Sequence, residues 1–359
     1  MSLWEKITRS PSYRPAQIAI HPEHTDVSDR LVKPFKRNEQ YFLVRINEMY
    51  LSYRRKWFSE YDPMVFVLSE FLYGGEKVAV PYVVGPSMLT EKIEKIPEGM
   101  ILKDTTVAGL HPFRGGEFAI SVVLARLRQQ DYLRKILKLI ESTAGTYTSG
   151  FVTMISQYSK VAKVVLDGID SLLDTQDVEP LIGFRKPYQP DVDNFVPTYF
   201  VLINKDEQEV NENNFYVKNN SLLYGDSIDK AKPYRKDDYV LYSIRDAVIR
   251  SDYESLPFHK QWLELVKTIG DLHSINDDEK QIINAKLFSL QSVLETSPDL
   301  TQPQVDELIN GYLAERDKMM ARRTNRLSGS AESRPEETQP EDEWKKKMKD
   351  LSLRILKSR

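Results

Sequence analysis

The stretch His111-Pro112-Phe113-Arg114-Gly115-Gly116 holds residue types that suit loop chemistry. An imidazole can move a proton near neutral pH and a guanidinium can clamp an anion, so His111 and Arg114 would fit a hydrolase whose remaining residues are dispersed over loops. No G-x-S-x-G nucleophile motif accompanies them. The structural alternative is that Gly115 and Gly116 supply the positive φ of a tight turn into the apolar strand that follows. That reading accounts for every residue of the stretch except His111 and Arg114, and under it His111→Ala leaves fold and function nearly intact.

Metal chemistry has little to work with. The five histidines are His21, His24, His111, His259 and His273. His21 and His24 are three apart with Pro22 between them, whereas the zinc-protease pattern sets two histidines four apart on one helix face. Asp191 and Asp193 could lend two carboxylates to a calcium site, but the further oxygens and the glycine of an EF-hand loop are missing. With no P-loop and no G-x-G-x-x-G either, no metal and no cofactor is expected.

Two basic clusters could bind anions. Arg54, Arg55 and Lys56 lie between aromatic residues in "YRRKWF", residues 53–58, a combination that can hold phosphate and stack bases. Arg126, Arg128, Arg134, Lys135 and Lys138 form the second. The whole chain has 50 Lys and Arg against 53 Asp and Glu, a net charge of −3, so no global field favours nucleic acid. A nucleic-acid or anionic-surface binder working through residues 53–58 and 126–138 stands as an alternative.

The last candidate is "DEWKKKMKDLSLRILKSR", residues 342–359. Trp344, Met348, Leu351 and Ile355 fall at i, i+4, i+7 and i+11, the spacing of a coiled-coil seam or of a helix that lies in a groove. Such a short helix is marginal alone in water and needs a surface. The surface can be a protein partner, a second copy, this chain's own body or an anionic membrane.

The elements that position these residues follow from periodicity. Prolines 11, 15, 22 and 34 mark residues 1–40 as an extended arm. Five β-branched and aromatic runs follow between 41 and 127, with no helical period among them, which predicts an antiparallel sandwich or barrel over 41–128. The period then changes to 3.6 over 129–175. Leu133, Ile136, Leu137 and Ile140 form one stripe, and Phe151, Met154, Ile155, Tyr158, Val161, Ala162, Val165, Ile169 and Leu172 form another, with Lys160 and Lys163 facing solvent. Together they predict an α-hairpin.

Pro180, Pro187, Pro190 and Pro197 suggest a connector at 176–197. Four short strand patterns then give a second small β module at 198–255, with Asn219-Asn220 as a hairpin turn. A helical bundle is expected at 256–323. Asn276 with Glu279, and Thr301 with Gln304, have the spacing of capping boxes at two of its helix starts. A linker at 324–341 and the amphipathic helix at 342–359 close the chain.

The expected class is therefore α+β: an N-terminal antiparallel β-sandwich, a central α-hairpin, a second small β module, a C-terminal helical bundle and a tethered amphipathic helix. The chain has no cysteine, which removes disulfides and thiol chemistry and suits a reducing compartment. No apolar run approaches 18 residues, and "MSLWEKITRS" has no signal-peptide core, so a cytoplasmic location is expected. The functional expectation is a non-catalytic binding or scaffold protein acting through protein–protein contacts or self-association, with 342–359 as its docking segment.

Overall fold

The computed structural model describes residues 3–9, 15–27, 33–52, 55–56, 59–85, 105–128, 135, 138–139, 155–189 and 195–327. The chain divides into two compact units. One, β-rich, comprises Met1–Arg37 and Phe42–Asp246; the other, helical, comprises Asn38–Tyr41 and Ala247–Arg359. Antiparallel sheets in the first two-thirds and helices at the end make an α+β protein.

The β-rich unit opens with α1 (Leu3–Arg9) and β1 (Ala16–Ile20). It continues through β2 (Tyr41–Tyr50), β3 (Arg55–Lys56), β4 (Ser59–Tyr73), β5 (Glu76–Val84), β6 (Thr105–Pro112) and β7 (Phe118–Arg128). After α2 (Ile155–Leu173) come β8 (Val178–Tyr188), β9 (Thr198–Ile203), β10 (Phe215–Lys218), β11 (Ser221–Tyr224), β12 (Lys232–Pro233) and β13 (Tyr239–Ala247).

Strand pairing crosses the boundaries drawn from periodicity. One sheet has the order β1-β9-β13-β2-β6, so strands from the arm, the sandwich region and the second module share it. β9 explains why. "TYFVLI" is apolar at every position but one, and a strand of that kind must be covered on both faces. Phe200 and Leu202 enter one core cluster, while Tyr199, Val201 and Ile203 enter another. A second sheet has the order β3-β4-β7-β8, with β5 also on β4. Its Val65, Val67, Val122 and Leu124 join the same cluster as Phe200 and Leu202, so the two sheets close on one core.

Only β10-β11-β12 remains a small separate sheet. Lys218 pairs with Ser221 across Asn219-Asn220, whose φ values of 51° and 59° give the tight turn expected of two asparagines. A buried charge fastens this sheet. Glu48, fully buried, accepts from Leu222 N at 2.6 Å and from Arg235 at 2.9 Å, and the guanidinium lies 5.2 Å from the Tyr50 ring centroid.

Within the expected connector at 176–197, Val178–Tyr188 form the strand β8. β8 pairs with β7 and lies at the end of the sheet order, where a proline needs no inward N–H. Pro180 sits at the register shift that follows Leu124, so it marks a bulge within a strand and not the end of one. The arm likewise contains a helix and an edge strand, β1, that pairs with β9.

In α2, Ala162, Val165, Ile169 and Leu172 of the stripe are buried and Lys163 is exposed; Phe151 and Met154 lie outside the described residues. Leu133, Ile136, Leu137 and Ile140 lie outside the described residues. Gly183 of β8 lets α1 lie close: a Cβ there would stand 2.4 Å from the Ile7 carbonyl oxygen.

The helical unit holds α3 (Phe258–Gly270), α4 (Asp277–Glu295) and α5 (Gln302–Leu327) around one apolar cluster. Asn276 and Glu279 form the expected capping box: Glu279 N donates to Asn276 Oδ1 at 2.9 Å and Asn276 N to Glu279 Oε2 at 3.4 Å. Thr301 and Gln304 do not form one. The Gln304 side chain is taken by a buried network, accepting from Tyr41 Oη at 2.6 Å and from Arg250 N at 3.0 Å. It also donates to the Arg250 carbonyl at 2.9 Å. Thr301 N donates to Tyr41 Oη instead, and Thr301 Oγ1 is buried without a partner.

Candidate functional site

His111 ends in a bed of aromatic rings. It is 7% exposed, stacks on Phe71 with centroids 4.7 Å apart, and meets Phe42 and Tyr73 edge-on at 5.8 and 6.5 Å. A packed ring in that setting fills space. Gly115 and Gly116 have φ of 75° and 77°, the left-handed turn that lets β7 begin, and a Cβ on Gly116 would meet Leu72 Cδ1 at 2.5 Å. The turn reading of 111–116 thus has its geometry, while His111 has more structural weight than a turn residue would carry.

Of the basic clusters, the described side chains of Arg126 and Arg128 meet acids. Arg126 donates through Nε and Nη2 to the two carboxylate oxygens of Glu179, at 2.8 and 2.6 Å, and lies over the Tyr61 ring. Arg128 is 3.7 Å from Asp177. Both positions thereby meet an acid, and sequence spacing could not show it because Glu179 of β8 lies 53 residues from Arg126, with Asp177 just before that strand. Arg55 and Lys56 form β3, pairing with Glu60 and Ser59. Arg54, Arg134, Asp191, Asp193, Trp344, Met348, Leu351 and Ile355 lie outside the described residues.

His24 shares a hydrogen bond of 3.1 Å between Nδ1 and the Phe215 carbonyl and stacks on Tyr216 at 4.5 Å, so it fastens the single turn Pro22–His24 to β10. Among the described residues no group of three His, Asp or Glu side chains could hold a metal ion.

A cleft that the sequence did not suggest lies on the outer face of the second sheet, beneath α1 and α2. It encloses about 560 Å³. Its floor comes from β4, β7 and β8, where strand register sets Ser121 beside Leu68 on one side and Arg185 on the other. Arg185 donates through Nε and Nη2 to Glu70 Oε2, at 3.1 and 2.9 Å. Lys77 continues the chain, 3.7 Å from Glu70 and 3.1 Å from Glu117. Ser121 is fully buried and its hydroxyl has no hydrogen-bond partner.

The helices supply the walls. Asp170 Oδ1 accepts from Trp4 N at 2.8 Å, which ties the start of α1 to α2. Lys163 and Asp167 stand one turn apart on the cleft side of α2. Both signs of charge therefore line one cavity, and much of that charge is already matched internally. Thr8 and Ser121 are its hydroxyls, and none of its lining residues is a histidine. Such a site can hold a polar group by charge matching; it lacks the hydroxyl–imidazole pairing that activates a serine.

No known protein family, curated protein or solved structure matches the chain.

Proposed function

We propose that this chain is a non-catalytic binding or scaffold protein that acts through protein–protein contacts, with residues 342–359 as its docking segment. The observation that carries the reading is apolar surface on the helical unit. Phe288 of α4 is 71% exposed, and Ile282 on the same helix 53%. Large apolar side chains left facing water on one helix suit an association surface. The burial of His111 among aromatic rings supports the same reading, because it takes the leading general-base candidate out of solvent reach. Among the described residues no helix is long and apolar enough to cross a membrane. The cysteine-free composition supports a cytoplasmic setting.

The test compares the full chain with a Leu351→Asp, Ile355→Asp variant, both used to recover bound proteins from cells that make the chain. The reading expects a defined protein recovered with the first and lost with the second, at unchanged melting temperature. Equal recovery by both would remove the docking role. Binding of the intact chain to phosphatidylserine vesicles in place of any protein would replace it with the anionic-surface alternative.

A further inference from the structure

The outer face of α4 has a pattern of its own. Ile283, Leu287, Leu290 and Leu294 are buried in the bundle. At 3.6 residues per turn, the opposite side carries Asp278, Gln281, Ile282, Ala285, Phe288, Ser289 and Ser292, all exposed and, beyond Asp278 in the first turn, none charged. Ser292 further lowers its polarity by donating its hydroxyl to the Phe288 carbonyl at 3.1 Å. The acids of the helix lie at its two ends, Asp277, Asp278 and Glu279 in the first turn and Glu295 at its last residue.

We infer that this face of α4 is the seat of the chain's own residues 342–359, bound in cis as a second helix. Three observations lead there. Gln281, Ala285, Phe288 and Ser292 fall at i, i+4, i+7 and i+11, the same spacing as Trp344, Met348, Leu351 and Ile355. Two helices with that repeat can interlock along a seam, the small Ala285 and Ser292 leaving room for large side chains opposite. The second is charge. The segment has seven Lys and Arg against three Asp and Glu, a net +4, and α4 opens with three consecutive acids.

The third is reach. Arg323 Nε donates to the Leu272 carbonyl at 2.9 Å, which sets the last turns of α5 beside the turn that leads into α4. The 14 residues 328–341 follow directly and can span up to about 46–50 Å. α4, at 19 residues, is only about 28 Å long. Every point on the face is therefore accessible to the segment. A tether of that length holds it at an effective concentration in the millimolar range, so a modest seam suffices. The inference rests on the docking role proposed above and adds its regulation: a partner must compete with α4 for the segment.

Because the chain has no cysteine, paired cysteine substitutions report on this cleanly. In the full chain, Ser289→Cys and Ser352→Cys are placed beside the two seams and treated with a short bismaleimide. The expected result is a crosslinked monomer whose rate of formation does not change on dilution and falls about tenfold when Ile282→Asp and Phe288→Asp are added. Crosslinked dimers that grow with concentration would give the face to a second copy and overturn the inference. A rate untouched by the two aspartates would overturn it too. Failure here with partner recovery still dependent on Leu351 and Ile355 removes the seat and leaves the docking role. A retained crosslink with no partner recovered removes the role and leaves the seat.

Discussion

Arg250 donates through Nε and Nη2 to the two carboxylate oxygens of Asp252, each at 2.8 Å, from a side chain only 2% exposed. Its Nη1 donates to the Asp299 carbonyl at 3.1 Å and lies 3.7 Å from the Asp299 carboxylate. A buried guanidinium is tolerated because its donors are met; take one partner away and the charge remains without compensation. Asp252→Ala is expected to destabilise the helical unit by about 3–5 kcal/mol. Urea unfolding followed at helical wavelengths measures it, and a cost under about 1 kcal/mol, typical of exposed pairs, would show the pair to be solvated.

His111→Ala, harmless if 111–116 were only a turn, becomes a core truncation. The ring packs against both Phe71 and Phe42, which meet each other edge-on at 5.1 Å, and its removal leaves a gap beside them. Loss of a buried ring of this size is expected to cost about 2–4 kcal/mol. His111→Phe, which keeps an aromatic ring there, should recover most of it. Thermal melting of the three proteins decides; an alanine variant as stable as the parent returns His111 to the role of a loop residue.

Gly183→Ala tests how α1 is seated. The new methyl would meet the Ile7 backbone, which cannot rotate away as a side chain can. Since Trp4 N depends on Asp170, displacement of α1 also breaks that hydrogen bond. The expected outcome is faster amide exchange over Leu3–Arg9 with exchange in β7 unchanged. Equal protection of α1 in both proteins would mean that the helix lies farther from β8.

These cases show what could be read from residue order. Local signals were legible: the asparagine turn at 219–220, the capping box at Asn276 and the buried stripe through Val165 and Ile169 each depend on neighbours within a few turns. Pairing was not. Nothing in "AQIAI" or "TYFVLI" names its partner, because a period of two fixes which face is buried and leaves open which strand lies alongside. The prolines of β8 misled for a related reason, since an edge strand tolerates them as readily as a connector does. The cleft was invisible on the same grounds. Glu70 and Arg185 are 115 residues apart and meet only through the sheet register. Gln304 had the spacing of a cap and was drawn instead into the network around Arg250.

Facing along α2 gives a paired test. Val165 is buried and Val164, the next residue, is 64% exposed. Val165→Ala is expected to cost about 1–3 kcal/mol and Val164→Ala within about 0.5 kcal/mol of nothing. Chemical denaturation of both variants checks this, and equal costs would mean that the helix is rotated about its axis.

Burial pushes the Tyr41 phenol from 10.0 up to about 12, although the hydrogen bond from Thr301 N and the nearby Arg250 act to lower it. Tyr253 and Tyr312 in the same unit are also raised, mainly by burial. Between about pH 10 and pH 12 the unfolded chain therefore loses phenolic protons that the folded unit retains. The folded state binds more protons in that window, so stability must fall as pH rises through it, and should not depend on these groups below it. Two pH units on one phenol correspond to about 2–3 kcal/mol. Tyr41→Phe removes one such proton. Its melting temperature is expected to be lower at neutral pH, because Thr301 N loses its acceptor and Gln304 Oε1 one of its two donors, at about 1–3 kcal/mol. Its decline above pH 10 should then be shallower than the parent's. Fluorescence of Trp262, which stacks on Tyr312 with centroids 4.3 Å apart, reports on the helical unit once Trp4, Trp57 and Trp344 are replaced by Phe. Parallel declines in the two proteins would show that Tyr41 ionises in the folded unit as readily as in the unfolded chain, and the buried network around Gln304 would have to be open to water.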